Sequence, residues 1–119
     1  RPAMVTDPLW HNFEKEVEYT VNEILLKYYT IYKASTLMLS VIMPGHSIPP
    51  HIDAQPPYWI CRIHIPLVTN RKADFVSNGV PYQLRVGKAY KIDTTEVHAI
   101  INKGDTPRIH FMFDINKEQ

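Results

Sequence analysis

Hydrophobic and polar positions change period once along this chain. Between residues 8 and 28, Leu9, Phe13, Val17, Val21, Ile24, Leu25 and Tyr28 recur three and four apart, with Glu14, Lys15, Glu18 and Glu23 between them. That spacing predicts an amphipathic helix with one face packed on something flat. Asp7-Pro8 supplies an N-cap side chain followed by proline at the first helical position, where the missing N–H is no loss. From Leu37 onward the period is two: Leu37, Leu39, Val41 and Met43 alternate with Met38, Ser40 and Ile42 until Pro44-Gly45 ends the run. Further β-rich segments cover Trp59–Leu67, Ala73–Val76, Pro81–Arg85, Ala89–Ile92, Val97–Ile101 and Arg108–Asp114, with turns at Asn78-Gly79, Gly87-Lys88 and Lys103-Gly104. About seven short strands behind one helix predict an all-β sandwich or barrel with a leading α-helix, the helix at about 8–28 and the core at about 36–114, an arrangement compatible with a jelly roll.

Two of these strands have unequal faces. Cys61, Ile63, Ile65 and Leu67 alternate with Arg62 and His64, and Ile109, Phe111 and Phe113 alternate with Arg108, His110, Met112 and Asp114. A sandwich strand ordinarily turns its polar face to water, and Arg and His are mostly exposed residues. The repeated Arg-x-His face has a second explanation, in which it lines the mouth of a barrel and binds an anion. A planar guanidinium in a partly dry pocket holds a carboxylate by two parallel hydrogen bonds.

Composition narrows the partners. A chain of 119 residues is long enough for one domain, residues 1–119, to bury about two-thirds of its unfolded surface. Thirteen basic and twelve acidic residues leave a formal charge of +1, which gives no electrostatic footprint for nucleic acid or an anionic membrane. A small-molecule or peptide substrate is the expected partner, and the oligomeric state is open. Cys61 is the only cysteine, so no intrachain disulfide or zinc ribbon can form. The sequence has no apolar run of membrane-spanning length and no signal-peptide h-region, so a soluble, cytoplasmic protein is expected.

The candidate chemistry begins at Pro49-Pro50-His51-Ile52-Asp53. His51 and Asp53, two apart, share a face if the segment is extended. Nitrogen and oxygen ligands of this kind suit a divalent first-row metal, and two histidines with one carboxylate are the signature of non-haem Fe(II) oxygenases. Six His and six Asp would yield about 0.3 His-x-Asp triplets by chance, so the pair needs support. His98, in Asp93-Thr94-Thr95-Glu96-Val97-His98 at the entrance to a strand, is the candidate third ligand, with a core or surface histidine as the alternative. Thr94, Thr95 and Glu96 are near enough in sequence to support the ligands or to form a turn. His11, His46 and His110 rank below these. Trp10, Tyr28, Tyr29 and Tyr32 are assigned to the core or to an interface, with core preferred.

From about Ser40 to Asp114 the ordered blocks Ser40-Val41-x-x-Pro44-Gly45, Pro50-His51, Arg62-x-His64-x-x-Leu67, His98 and Arg108 resemble the aspartyl/asparaginyl β-hydroxylase family of 2-oxoglutarate-dependent oxygenases. The resemblance implies a double-stranded β-helix, a jelly roll of the cupin kind. It implies that His51 and His98 bind Fe(II), that Ser40, His64 and Arg108 hold the distal carboxylate of 2-oxoglutarate, and that Arg62 holds a carboxylate of the substrate. In well-known animal members a glycine stands at the position of Asp53. Asp53 here would complete a facial triad, as in the wider superfamily, and favours hydroxylation over halogenation. The expected activity is hydroxylation of a C–H bond of an amino acid, peptide side chain or related small carboxylate, with O2 consumed and 2-oxoglutarate converted to succinate. The alternatives are a cupin-type metal enzyme that does not use 2-oxoglutarate and a non-catalytic binding module. Loops Ala54–Tyr58 and Asn70–Gly79 are the expected walls of the substrate pocket.

Overall fold

A computed structural model describes residues 14–28 and 32–117. Helix α1 (Glu14–Tyr28) is followed by β1 (Tyr32–Ile42), β2 (Ser47–His51), β3 (Trp59–Val68), β4 (Ala73–Ser77), β5 (Val80–Tyr82), β6 (Tyr90–Ile92), β7 (His98–Asn102) and β8 (Arg108–Lys117). The strands form two four-stranded antiparallel sheets, in the orders β1-β8-β3-β6 and β2-β7-β4-β5. This is the expected jelly roll behind a helix. The helix start expected at Asp7-Pro8, together with Leu9, Trp10, His11, Phe13 and Tyr29, lies outside the described residues.

The expected stripe of α1 is partly realised. Val21 is buried, and Ile24 and Leu25 pack with it against Cys61, Ile63, Phe111, Phe113 and Ile115 on the outer face of the β1-β8-β3-β6 sheet. Tyr28, expected in the stripe, is instead exposed, whereas Tyr32 packs against this core. Phe113 and Ile115 are fully enclosed, and burial of such side chains contributes about 1.5–3 kcal/mol each. A second cluster, Ile42, Phe75, Ile92 and Ile100, fills the space between the sheets.

Eight strands stand where about seven were expected, and the difference has two physical causes. β2 carries Pro49 and Pro50, which mask a strand in the pattern; β2 is the edge of its sheet and pairs only with β7, where missing N–H donors are tolerated. β1 begins five residues before Leu37, because its alternation changes parity on the way. Tyr32 and Ala34 share the helix-side core with Leu37, and a register shift falls between Ser35 and Met38, with Thr36 at φ 56°. A bulge of this kind moves every later side chain to the other face. The Asn78-Gly79 turn between β4 and β5 is as expected, with both residues at positive φ, 49° and 79°, the requirement of a two-residue hairpin turn.

The fold turns the polar faces of β3 and β8 inward. Arg62 pairs with Asp114, His64 with Met112 and Pro66 with His110 across β3–β8, and Ser40 pairs with His110 and Ile42 with Arg108 across β1–β8. Directly paired residues share a face. That face therefore looks away from the helix and toward the second sheet. The open ends of the sheets are tied by Asn102, whose Nδ2 donates to the carbonyls of Ile42 and Thr106 at 2.9 Å each and whose Oδ1 accepts from Asn70 Nδ2 and Gly104 N.

Candidate metal centre

His51 ends β2 and His98 begins β7, and the two residues are direct partners in the antiparallel register. Their ring centroids lie 4.2 Å apart. Asp53 follows on the loop after β2, with its backbone N–H donating to the carbonyl of Thr94 at 2.9 Å. This bond folds the loop back over the β6–β7 connection. Asp53 Oδ1 then lies 3.6 Å from His51 Nε2, and Asp53 Oδ2 lies 3.5 Å from His98 Nε2. One ligand atom from each of the three residues falls within 4.8 Å of the others, so a single ion can touch all three.

The backbone fixes which nitrogen each ring offers. His51 Nδ1 donates to the carbonyl of Pro49, and His98 Nδ1 donates to the carbonyl of Glu96, both at 2.8 Å. A carbonyl only accepts, so each neutral ring carries its proton on Nδ1 and a lone pair on Nε2. Such outer bonds orient metal-ligating histidines and set their tautomer. Both donors reach the residue two positions earlier, Pro49 within β2 and Glu96 in the turn before β7. The donor set is nitrogen, nitrogen and oxygen, and it fits a divalent first-row metal. His98 is buried, while His51 and Asp53 are about one-third exposed, which leaves one side of the group open.

Supports for the carboxylate are plain in the structure. Thr94, 2% exposed, accepts Gln55 Nε2 at its hydroxyl, 3.1 Å, besides holding Asp53 through its carbonyl. Thr95 makes an Asx turn with Asp93, and Glu96 serves His98 through its backbone. Of the three residues Thr94, Thr95 and Glu96, Thr94 is the one that braces Asp53. Gln55 escaped notice in the sequence because nothing in a loop residue two after Asp53 marks its long-range partner. His46 is exposed and outside the metal group.

Beyond the histidine pair lies a second set of polar side chains on the inner face of the other sheet. Phe75 stacks on His98 at 5.9 Å between centroids and meets His64 edge-on at 5.8 Å, so it joins the two groups. His64, Arg108 and His110 are all buried, and Ser40 is half-buried opposite His110. His64 Nδ1 and His110 Nδ1 are 3.0 Å apart, with ring planes at 87°. Burial first, and then the positive charge of Arg108, hold the His110 pKa down at about 3. Burial, His110, Arg108, Arg62 and His98, in that order, hold His64 well below the ordinary histidine range. Both rings are neutral at pH 7.

Among the described residues Arg108 Nη1 and Nη2 are buried and have no hydrogen-bond partner, and burial lowers the guanidinium pKa to about 10. Arg108 and His110 border a crevice also lined by Thr69, Asp74, Phe75 and Leu84. An unpaired guanidinium away from water is costly, and the donors it leaves open match an acid with two oxygens. Ser40, His64 and Arg108 thus reach one inner face from β1, β3 and β8, and that face can accept an anion. Arg62 already meets one carboxylate, from the chain itself: its Nε and Nη2 donate to Asp114 Oδ1 and Oδ2 at 2.8 and 3.1 Å. Asp114 stood in the alternating pattern with no sign that it would pair across the strands.

Comparisons agree with this architecture. A crystal structure described as a predicted oxalate decarboxylase from Thermotoga maritima superposes with a TM-score of 0.55 at 22% identity, covering 86% of this chain and 73% of its own. A cupin 2 conserved barrel domain protein from Salinispora arenicola aligns at a TM-score of 0.49 and 19% identity, over 71% of this chain. The present chain spans 62% of the length of that protein. No curated protein matches the sequence. Among the described residues no helix is long and apolar enough to cross a membrane. The family model for aspartyl/asparaginyl β-hydroxylase matches residues 10–118, almost the whole sequence, and the chain belongs to that family.

Proposed function

We propose that this chain is an Fe(II)- and 2-oxoglutarate-dependent dioxygenase that hydroxylates a C–H bond of an amino acid, a peptide side chain or a related small carboxylate. The observation that carries the reading is the pairing of a two-histidine, one-carboxylate group with an unpartnered buried guanidinium on the facing sheet. A metal enzyme whose own substrate carries no acid has no use for the second feature, and a silent binding module has no use for the first.

In this reading His51, Asp53 and His98 hold Fe(II) through Nε2, a carboxylate oxygen and Nε2. Ser40, His64 and Arg108 hold the distal carboxylate of 2-oxoglutarate. Iron with this cosubstrate supplies oxidation by O2, with the acid leaving as succinate and CO2. The chain's own residues supply position and exclusion. Phe75, in ring contact with both His98 and His64, would form an apolar wall along the path from the metal group to the carboxylate clamp. The one-third exposure of His51 and Asp53 marks the side from which the prime substrate enters. The Ala54–Tyr58 loop, with Pro56, Pro57 and Tyr58 exposed and Gln55 tied to Thr94, forms the wall on that side. Asp114 takes Nε and one N–H of Nη2 of Arg62, so a substrate carboxylate would meet the remaining N–H groups, on the Nη1 side.

The test is formation of succinate from 2-oxoglutarate by the purified protein with a panel of amino acids and short peptides. Turnover that requires Fe(II) and is lost in His98→Ala supports the reading. Metal binding without any consumption of 2-oxoglutarate supports a cupin enzyme of another kind.

A further inference from the structure

His64 and His110 are both nearly inaccessible, and their Nδ1 atoms face one another at 3.0 Å. Two neutral imidazoles joined in this way must be opposite tautomers. One carries its proton on Nδ1 and donates; the other has a bare Nδ1, accepts, and carries its proton on Nε2. The state with both rings charged would set two donors against each other beside Arg108.

Which ring donates decides what His64 offers at its outer nitrogen. An ionised carboxylate can only accept hydrogen bonds. For His64 to bind one, its Nε2 must carry the proton, and its Nδ1 must then be an acceptor. The atom facing that acceptor is His110 Nδ1. We infer that His110 is a positioning residue: its Nδ1–H donates to His64 Nδ1 and locks His64 in the Nε2–H tautomer that binds the cosubstrate carboxylate. The inference rests on the proposed role of His64 in holding 2-oxoglutarate. The strand layout supports it, because His110 lies between Pro66 and Ser40 on the inner face and two residues from Arg108, where it can brace His64 from within the sheet. The depressed pKa values of both rings keep a second proton from disturbing the arrangement near neutral pH.

The experiment has two arms. Long-range 15N–1H NMR of the histidine rings in the metal-free protein reads the tautomers directly. The expected result is His64 protonated at Nε2 and His110 protonated at Nδ1, and the reverse assignment overturns the inference. In the second arm, 2-oxoglutarate binding to the Fe(II)-loaded protein is measured by calorimetry for wild type, His110→Leu and His110→Asn. Leucine removes the donor, while the asparagine amide restores an N–H near the position of Nδ1. Affinity should fall about tenfold in His110→Leu, the effect of losing one hydrogen bond in a buried site. It should recover to within about threefold of wild type in His110→Asn. Wild-type binding that is undiminished in His110→Leu overturns the role of His110 alone. Failure of wild type to bind 2-oxoglutarate, with the expected tautomers in place, overturns the functional reading of His64 and with it the purpose assigned to the lock. The tautomer measurement uses wild type only, so poor folding of a variant does not blunt it.

Discussion

His51 and His98 face each other across the β2–β7 pair, and each ring is fixed by an Nδ1–H bond to the carbonyl two residues before it. The same short-range device thus acts twice, once at the end of β2 and once at the entrance to β7. It leaves two Nε2 lone pairs converging on Asp53 with no donor from a distant side chain. The metal group is therefore built by strand register and local backbone, and Asp53 is the one member whose place depends on a loop.

That dependence makes the loop anchor testable. Gln55→Ala removes the bond to the buried Thr94 hydroxyl while leaving all three ligands in the chain. Outer supports of this kind are worth about 10–100-fold in metal affinity. Because the Asp53 N–H to Thr94 carbonyl bond survives, a loss of about tenfold is expected in a competition titration with a chelator, and an unchanged affinity would show that the loop needs no brace.

Arg108 should show opposite effects on stability and binding. Its two buried Nη nitrogens have no hydrogen-bond partner among the described residues, so Arg108→Met, which keeps much of the volume, should leave the ligand-free protein as stable or more stable in urea denaturation. The same substitution should weaken 2-oxoglutarate binding by about 2–5 kcal/mol, thirty-fold or more. Loss of stability together with unchanged binding would assign Arg108 to the framework.

Much of this arrangement was legible in the sequence, and the reasons differ by residue. The Arg-x-His faces of β3 and β8 stood out because the opposite faces are uniformly apolar, and they do turn inward. His51, Asp53 and His98 were found by ligand type and meet in space. β2 was hidden by its prolines, and the start of β1 by the parity change at Thr36. Cross-strand partners were hidden altogether. The His64–His110 bond and the Arg62–Asp114 pair each join residues 46 and 52 apart in sequence, and alternation tells which face a residue takes but not which neighbour it meets.

The Arg62–Asp114 pair is a framework bond whatever else Arg62 holds. Asp114→Asn removes one charge and leaves the guanidinium, 15% exposed, without its counter-ion. Breaking a fully buried pair costs about 3–5 kcal/mol, and the partial exposure of Arg62 brings the expected loss to about 2–3 kcal/mol in chemical denaturation. Replacing both residues together, Arg62→Met with Asp114→Leu, should recover most of it. A double variant no better than Asp114→Asn would mean that the pair does more than satisfy itself.

Acid should destabilise the ligand-free protein through the buried histidines. The folded pKa of His110 is about 3, against an ordinary value of 6.5, and that of His64 is also well below ordinary. Below pH 6.5 the unfolded chain takes up protons that these folded rings refuse. Stability is therefore fully present above pH 6.5 and is lost as pH falls below it, by about 2 kcal/mol for His110 by pH 5, with a further loss from His64. Urea titrations at pH 7.5 and 5 measure the loss, and His110→Asn should remove the His110 share of its pH dependence. Equal stability at the two pH values would mean that the rings are open to water.

The central claim is that the two-histidine, one-carboxylate group and the Arg108 clamp serve one iron and one molecule of 2-oxoglutarate. Anaerobic titration of the protein with Fe(II) and then 2-oxoglutarate tests it most directly, because chelation of iron by the 2-oxo acid produces a metal-to-ligand charge-transfer band in visible light. The account predicts a saturable band in wild type that is weakened or shifted in Asp53→Ala and needs far more 2-oxoglutarate in Arg108→Met. A wild-type protein that binds Fe(II) and develops no band at saturating 2-oxoglutarate would contradict it.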